Sequence, residues 1–443
     1  MMANSRWYKV GNAGVAAALL GALMGAPAPL SAATFTPGIS LGAGYDDNVG
    51  IAQQPRGDFF WLARPKASLE AGRPENRFTA LGSLDYAVYQ RLSDQTRMEN
   101  ASLGMKYHLA TSPKWSMDAE NTLSSSYDAV EQTDTGELTR LRAAGGRHDR
   151  NVTSVRSQYN LGPQTFVNAG YSLGFNRGND EQSEDSSYQR VDLGGGYRLN
   201  PDWRTELKLE GYRDDFEVSD DLLKGTAEAR LARMMGPLRE AFLSLGTGVV
   251  RSESAVPLKR DARDYDTYTA KLGYKAELSP RLGLEAAAGA SQVAADEKYN
   301  SAAGKAYPAG NLVVTYKQPR WQLRGYVEYK LAEYDTLGEN SGLTVTSRAG
   351  GSWLWRMAQH WMLTAQADLV HDDFQQNPAA SGVTSSGDVD SVRLGSALSY
   401  QLARDWKLSL DYRYLNRDAE INTEDRSQNR VLMLLSADWP QRW

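Results

Sequence analysis

Four histidines are the side chains of this 443-residue chain best suited to acid–base chemistry near neutral pH. One of them, His371, opens the tripeptide "HDD" at 371–373, which would suit an Asp/His protease site. Such a site also needs a nucleophile beside the base, and no GxSxG, HExxH, EF-hand or glycine-rich phosphate-binding spacing accompanies it. The absence of cysteine excludes thiolate nucleophiles and thiolate metal sites. The sequence therefore predicts a protein that is not an enzyme and holds no cofactor and no metal.

Long runs of alternating apolar and polar residues must position any functional side chain. In the run 321–331, Leu323 lies on the apolar face and Arg324 on the polar face. Similar runs occupy 61–71 and 392–402. Strict alternation over about ten residues indicates a β-strand with one apolar face, so we expect strands throughout.

Nine short turns, many with proline or glycine, alternate along the chain with longer and more acidic connections. With both ends of the chain on the short-turn side, they imply 20 antiparallel strands, or 18 if one hairpin is misassigned. A soluble sandwich would not need such long alternation in every strand. The pattern predicts an all-β, transmembrane, antiparallel up-and-down β-barrel with short periplasmic turns and longer extracellular loops. The short turns lie at 72–76, 111–114, 162–165, 200–203, 235–238, 279–281, 317–320, 358–361 and 403–405.

Aromatic residues flank many of the short turns. Indole and phenol rings prefer the membrane–water interface, so these residues are expected to form a periplasmic girdle. The predicted interface tryptophans are Trp115, Trp203, Trp321, Trp361 and Trp406, and the tyrosines are Tyr107, Tyr197, Tyr274, Tyr316 and Tyr400. The last strand is expected to end at Trp439, because Pro440 cannot donate to a strand ladder.

The segment 1–33 has the features of a signal peptide. Arg6 and Lys9 precede an apolar run at 14–26, and small residues lead to cleavage after Ala33. The run is shorter than the roughly 20 residues that a spanning helix needs. The sequence therefore predicts export, with the barrel as a single domain over 34–443 in the Gram-negative outer membrane.

The polar face of the strands, if it lines a lumen, carries 17 basic and 11 acidic side chains. A positive lumen would favour the passage of anions. Alternatively, charges of both signs pair across strands in a wet barrel, and the sequence leaves both interpretations open. The predicted pore-lining bases are Arg64, Lys66, Lys106, Arg198, Lys208, Lys271, Arg324, Lys330, Arg348, Arg393 and Arg413.

The connection at 128–149 is the longest in the chain, and the sequence leaves open whether it folds into the lumen or covers it from outside. Acidic connections such as 180–185 either bind cations that bridge lipopolysaccharide or are simply solvated. Outer-membrane lipid and lipopolysaccharide are expected partners. A net charge of −5 gives no reason to expect a nucleic acid.

The N-terminal part of the predicted barrel carries a family likeness. The stretches "ISLGAGYDDNVG" at 39–50 and "DFFWLARPKASLEAGRPENRFTALGSLDYAVYQRL" at 58–92 resemble outer-membrane β-barrel porins associated with exopolysaccharide biosynthesis and export in Gram-negative bacteria. The resemblance implies a portal for secreted polysaccharide, with a periplasmic polysaccharide-export protein as partner. Within it, Asp46, Asp47 and Asn48 are expected to form an Asx-type turn.

The leading functional prediction is a passive pore that exports exopolysaccharide or admits small anionic solutes. The alternative is a structural barrel sheath or anchor around a periplasmic partner, such as an electron-transfer or assembly protein. A barrel of about 20 strands is wide enough for either.

Overall fold

The computed structural model describes residues 33–49, 51, 54–127, 130–132, 138–141, 146–178, 185–217, 221–252, 264–295, 302–334, 342–374, 388–420 and 425–442. Among these residues, no helix is long and apolar enough to cross a membrane. The predicted signal peptide lies outside them except for Ala33, the first residue of the first strand. Its removal, and the domain boundary at 34–443, stay predictions.

The described residues are almost entirely strand, with one short 3-10 helix at Ser93–Gln95. In chain order the strands are β1 (Ala33–Asp46), β2 (Asp58–Arg73), β3 (Asn76–Tyr89), β4 (Arg97–Ser112), β5 (Trp115–Ser126), β6 (Val130–Gln132), β7 (Leu138–Leu141), β8 (His148–Gly162), β9 (Thr165–Gly178), β10 (Ser186–Asn200), β11 (Trp203–Phe216), β12 (Leu222–Met234), β13 (Arg239–Ser252), β14 (Tyr265–Ser279), β15 (Leu282–Ala295), β16 (Ala306–Lys317), β17 (Trp321–Tyr334), β18 (Gly342–Arg356), β19 (Trp361–Phe374), β20 (Val389–Ala403), β21 (Trp406–Ala419), β22 (Arg426–Asp438) and β23 (Gln441–Arg442).

Twenty of these strands form one closed antiparallel barrel. Each pairs with its neighbours in the chain, β5 pairs with β8, and β22 pairs back with β1 over Gly38–Asp46. Closure leaves no free edge among these strands, so their backbone polar groups are satisfied without water. β6 and β7 form a separate small sheet within the connection between β5 and β8. The prediction of a 20-stranded up-and-down barrel is confirmed, and the 18-stranded alternative is wrong.

The nine short turns join strands where the sequence predicts them. Several are fixed by the side chain that opens the turn. The Asn200 side-chain oxygen accepts hydrogen bonds from the backbone N–H groups of Asp202 and Trp203, both at 2.9 Å. The Ser112 and Ser279 hydroxyls accept similar bonds in their own turns. Such Asx and Ser turns reverse the chain tightly, which sets the register of each hairpin.

Each of the five predicted interface tryptophans is the first residue of a strand that follows a short turn. Trp115 begins β5, Trp203 begins β11, Trp321 begins β17, Trp361 begins β19 and Trp406 begins β21. Tyrosines on neighbouring strands pack against two of them, with ring centroids 4.6 Å apart for Trp361 and Tyr400 and 5.0 Å apart for Trp321 and Tyr316. The geometry fits a girdle at the short-turn end, and its position at a membrane interface stays a prediction.

The two faces of the barrel wall differ sharply, and the polar face is the inner one. On β17, the Leu323 side chain is exposed, whereas Tyr326 on the other face is buried. From the polar face, Arg430 on β22 reaches Glu99 on β4, with 2.6 Å between Nη2 and Oε2. Because β1, β2 and β3 separate these strands, only side chains on the concave face can meet. Large apolar side chains are therefore exposed on the outside of the barrel, as in membrane barrels.

The seam between the first and last strands is held at its long-loop end by the predicted Asx turn. The Asn48 backbone N–H donates to Asp46 Oδ1 at 3.0 Å, so this prediction is confirmed. The motif does more than turn the chain. Asp47 accepts hydrogen bonds from the backbone and side-chain nitrogens of Asn429 at 2.6 and 2.7 Å, and Gln428 donates to Asp46 Oδ2 at 2.8 Å. The first connection is thereby tied to the last strand.

At the other end of the seam, pairing continues beyond the predicted end of the last strand. β22 ends at Asp438, and the Trp439 N–H still donates to the Pro37 carbonyl at 3.0 Å. After Pro440, β23 pairs with Thr34 and Phe35 of β1. Pro440 therefore interrupts the ladder without ending it, because β1 accepts the chain on both sides of the proline.

Candidate functional site in the barrel interior

The inner wall positions the predicted pore-lining bases. All eleven occupy the inward parity of their strands, alternating with the outward apolar residues. Lys208, for example, lies between exposed Leu207 and Leu209, and Lys271 adjoins Leu272, which is 68% exposed. Strand alternation alone gives this orientation. Whether these side chains line a conducting path stays a prediction.

Six of the eleven bases are ion-paired with inner-wall carboxylates. The most buried pair is Arg393 with Asp368, with Nε–Oδ2 and Nη2–Oδ2 distances of 2.8 and 2.6 Å. Arg64 holds Asp85 through two hydrogen bonds at 2.6 and 2.7 Å. The other pairs are Lys66–Asp438, Lys106–Glu120, Lys330–Glu328 and Arg348–Glu328. Pairing across strands, one of the two interpretations that the sequence left open, therefore accounts for much of the inner charge.

The remaining five bases differ in their surroundings. Arg198 donates to the backbone carbonyls of Asn200 and Pro201 at the short-turn end, and Arg413 donates to Gln428. The Arg324 guanidinium lies 5.9 Å from the Tyr326 ring centroid. Within the described part of the chain, Lys208 and Lys271 have no ion-pair partner.

Two bases are paired with one carboxylate at mid-depth on the inner wall, and the charge of a third acts on it from another strand. Glu328 on β17 is bonded to Arg348 and lies 3.7 Å from Lys330 Nζ, and the charge of Lys271 on β14 also acts on it. Asp372 on β19 also acts on Lys330, so two carboxylates face three cations and this part of the wall keeps a surplus of one positive charge. It is the clearest candidate for contact with an anion among the described inner-wall residues.

A hydrogen bond between two side chains near Glu328 depends on a glycine. The Tyr326 hydroxyl on β17 donates to Asp368 Oδ1 on β19 at 2.6 Å, passing over the intervening strand β18. Gly350 is the residue of β18 directly between them. A Cβ at Gly350 would lie 2.7 Å from Asp368 Oδ1, 2.8 Å from the Tyr326 hydroxyl and 2.7 Å from the Ala367 carbonyl. The absence of a side chain at this position makes the tyrosine–carboxylate bond possible.

We expect Gly350→Ala to break this hydrogen bond and to lower the free energy of unfolding by about 1–3 kcal/mol, because the added methyl group would overlap three oxygen atoms in a packed part of the wall. Urea unfolding followed by tryptophan fluorescence measures the change. Gly325→Ala is the matched control, because the nearest neighbouring heavy atom would be 4.0 Å from its Cβ. Equal stability of the two variants would contradict the role assigned to Gly350.

The long connection between β5 and β8 enters the barrel. Leu138 and Leu141 of β7 are buried against Val370 and Leu415, inward residues of β19 and β21. The Leu141 N–H donates to the Ser391 hydroxyl on β20 at 3.3 Å. The contacted residues lie within five positions of the long-loop ends of β19–β21, so the hairpin β6–β7 lies on the inner side of the wall at that end of the barrel. Of the two positions that the sequence left open, the described part of this connection occupies the inner one.

A cavity of about 230 Å³ lies on the inner wall beside the seam. Arg64, Arg97, Arg413 and Arg430 line it, together with acidic residues such as Glu99. The two charge signs are balanced here, in contrast to the wall around Glu328. This cavity is therefore not the stronger anion site.

The side chains of the tripeptide at 371–373 lie on both faces of β19. Asp372 faces inward and accepts a hydrogen bond from the Thr346 hydroxyl at 2.7 Å. His371 faces outward and its Nδ1 lies 2.9 Å from Asp390 Oδ1. Alternation along β19 puts the two side chains on opposite sides of the wall. The structure thus separates His371 from Asp372, whereas Asp373 lies on the same outward face as His371.

Sequence reasoning missed several inner-wall bases, notably Arg97, Arg417 and Arg430. Arg430 alternates with the outward Val431, so its orientation was available from the pattern. Its partner Glu99 was not, because it lies 331 positions away in the chain. Arg417 donates to the Leu141 carbonyl of the hairpin at 2.8 Å, a contact that no local pattern predicts.

No family model and no curated relative matches this chain. The resemblance to exopolysaccharide-associated porins therefore stays a prediction. Solved structures are similar over most of its length. A chain of the FpvAI–pyocin S2 complex has 10% identity and a TM-score of 0.51, with 91% of this chain and 70% of that chain covered.

Two further solved structures are more distant in shape. OccK2 (OpdF) of Pseudomonas aeruginosa has 12% identity and a TM-score of 0.41, with 93% of this chain and 98% of that chain covered. The outer membrane protein OpdK of the same organism has 11% identity and a TM-score of 0.39, with 93% and 99% covered. At such identities the likeness concerns the barrel fold alone.

Proposed function

We propose that this chain is an outer-membrane pore for small anionic solutes. The outward face supports the location, because exposed leucine, valine and aromatic side chains cover it and tryptophans begin strands at the short-turn end. Such a surface is stable in lipid and not in water. The signal peptide predicted at 1–33 is consistent with export.

A water-filled interior follows from the same alternation. The inner face carries charged and amide side chains at every depth, and these need water or polar partners. Many of the ion pairs remain partly exposed, including Lys106–Glu120, whose side chains are 67% and 42% exposed. The inner wall therefore suits a wet channel rather than a dry core.

The preference for anions rests on the surplus of bases around Glu328. Lys330 and Arg348 are both paired with Glu328, and Lys271 adds a third positive charge against the two carboxylates Glu328 and Asp372; this surplus carries the proposed selectivity. An anion that passes this wall meets a positive field, whereas a cation meets a barrier.

The hairpin β6–β7 favours small solutes. A two-stranded hairpin fixed inside the barrel reduces the open cross-section, so a polysaccharide portal or a protein sheath would require it to leave. Both remain alternatives, and single-channel conductance distinguishes them from the proposed pore. A portal or a sheath predicts a large unobstructed conductance, whereas the proposed pore predicts a small and defined one.

The test is single-channel conductance of the refolded protein in planar bilayers, with the reversal potential measured in a salt gradient. We expect defined steps and a reversal potential that reports anion preference. Cation preference would contradict the proposed selectivity, and absence of conductance from a correctly folded barrel would contradict the pore.

Charge reversal at one base tests the selectivity directly. Lys271→Glu replaces a positive by a negative charge, which changes the energy of an anion 8 Å away by about 1 kcal/mol in water. The same substitution stabilises a cation by an equal amount, so we expect the anion-to-cation permeability ratio to fall by about thirtyfold. Lys114→Glu is the matched control, because Lys114 lies in the exposed turn between β4 and β5. An equal response to both substitutions would assign the effect to overall charge.

A further inference from the structure

We propose that the outer wall formed by β5 and β8 binds a second copy of this chain within the membrane. The inference rests on the membrane location proposed above and is independent of what the pore conducts. A polar cluster on the lipid-facing side of this wall carries it.

Asn121 lies on the outward face near the middle of β5. Its register partners are Met105 on β4 and Thr153 on β8, and its neighbours along the outward face are Ala119 and Leu123. Asn151 lies on the same face of β8, directly opposite Leu123. Leu123 is among the most exposed apolar residues of this wall. Two carboxamides therefore lie on the lipid-facing side of this wall, with Asn121 6% exposed between its neighbours.

The cluster is only half satisfied internally. Asn121 Nδ2 donates to Thr153 Oγ1 at 2.8 Å and to Asn151 Oδ1 at 3.2 Å. These bonds use the donor side of Asn121 and the acceptor side of Asn151. Within the described part of the chain, Asn121 Oδ1 accepts no hydrogen bond and Asn151 Nδ2 donates none.

Hydrocarbon offers no replacement for these missing bonds. In water an unused amide group is hydrated, whereas in the bilayer core it keeps its full desolvation cost. Polar side chains that face the membrane interior are accordingly found at protein contacts far more often than against lipid. The wall thus has a reason to be covered by protein.

The two amide groups without a hydrogen bond among the described residues, Asn121 Oδ1 and Asn151 Nδ2, indicate which protein covers the wall. One carboxamide presents a free acceptor and its neighbour presents free donors, so the surface is complementary to itself. A two-fold axis through this wall would place Asn121 Oδ1 of one protomer against Asn151 Nδ2 of its partner, and the reverse. Self-complementary surfaces of this kind form isologous dimers.

Cysteine cross-linking tests the contact, since the natural chain contains no cysteine. Leu123→Cys introduces a thiol beside the cluster without removing either asparagine. Leu369→Cys is the matched control, because Leu369 is the ninth residue of its strand, as Leu123 is, and is similarly exposed, at 54% against 44%. Both variants are treated with a short bifunctional maleimide in intact outer membranes.

We expect Leu123→Cys to give a product of twice the mass of the chain and Leu369→Cys to give none. Adding Asn121→Leu and Asn151→Leu to the Leu123→Cys variant should lower the cross-linked fraction about tenfold, by removing two symmetric hydrogen bonds from lipid. Leucine suits a lipid-facing position, so the barrel should still fold.

Three results would overturn the proposal. These are no cross-linking at Leu123→Cys, equal cross-linking at both sites, or a product containing a different protein. Each of these results counts only for protein recovered in the outer-membrane fraction. Absence of the chain from that fraction would instead contradict the location on which the inference rests, so the two failures are distinguishable.

Discussion

Replacing the hairpin at 130–141 by a short glycine–serine linker is expected to raise the single-channel conductance about twofold or more. Two paired strands with their side chains occupy a width of roughly 10 Å, a large share of the lumen of a 20-stranded barrel. Conductance grows with the open cross-section, so removing the hairpin should have a larger effect than any change to the wall. Planar-bilayer recording of the refolded variant measures it.

The matched control replaces the exposed connection between β3 and β4, at 90–96, by the same linker. That variant keeps β6 and β7, so its conductance should stay near that of the natural chain. Unchanged conductance after loss of the hairpin, in a barrel that still folds, would contradict the constriction. It would also reopen the wide-portal and sheath alternatives.

A single substitution can test the contact between the hairpin and the inner wall without deleting the hairpin. Leu138 is fully buried in the hairpin's contact with Val370 and Leu415, and burial of a leucine side chain contributes about 1.5–3 kcal/mol. Leu138→Asp should therefore release the hairpin from the wall. The expected signature is a mixture of low and high conductance levels, because a tethered hairpin can enter and leave the lumen.

The barrel itself could be predicted from the sequence because its information is local. The alternation of apolar and polar residues shows the two faces of each strand, and seven of the nine short turns contain a proline. Asn200, for instance, fixes its turn through bonds to residues only two and three positions away. Interactions of this range are visible in a single sequence, so strand number, turns and inward faces were predictable.

For the candidate site, the sequence predicts only on which face of the barrel wall each side chain lies. Alternation placed Lys271, Lys330 and Arg348 on the inner wall, but their convergence on Glu328 depends on the strand register, which the local pattern does not fix. The Tyr326–Asp368 bond likewise spans a third strand. It requires Gly350, whose significance appears only when β17, β18 and β19 are aligned.

The hairpin was beyond sequence reasoning for a different reason. The connection at 128–149 contains three large apolar residues among polar ones, Val130, Leu138 and Leu141, which indicates that part of it is buried. The surface that buries them lies on β19–β21, more than 200 positions later. Chain order gives no indication of which part of a closed barrel lies across the lumen.

Asp47→Ala is expected to lower the free energy of unfolding by about 2–4 kcal/mol, because it leaves two donors of Asn429 without their charged acceptor. The residue lies at the one place where the barrel closes on itself, and closure joins strands about 390 positions apart. In every other hairpin the chain holds the two strands together even when their pairing loosens. At the seam only non-covalent contacts do so, and Asp47 supplies two of them to Asn429.

Urea unfolding in lipid vesicles, followed by heat-modifiable mobility on gels, measures this loss. Asp94→Ala is the matched control, because Asp94 is an exposed aspartate in another connection at the same rim and accepts one bond from Gln95. Asn48→Ala should behave like Asp47→Ala, since the Asn48 side chain donates to the Ser427 carbonyl across the same seam at 2.7 Å. If all three variants unfold at the same urea concentration, the side-chain bonds of Asp47 and Asn48 do not stabilise the seam. The motif Asp46, Asp47 and Asn48 would then serve only to turn the chain after β1.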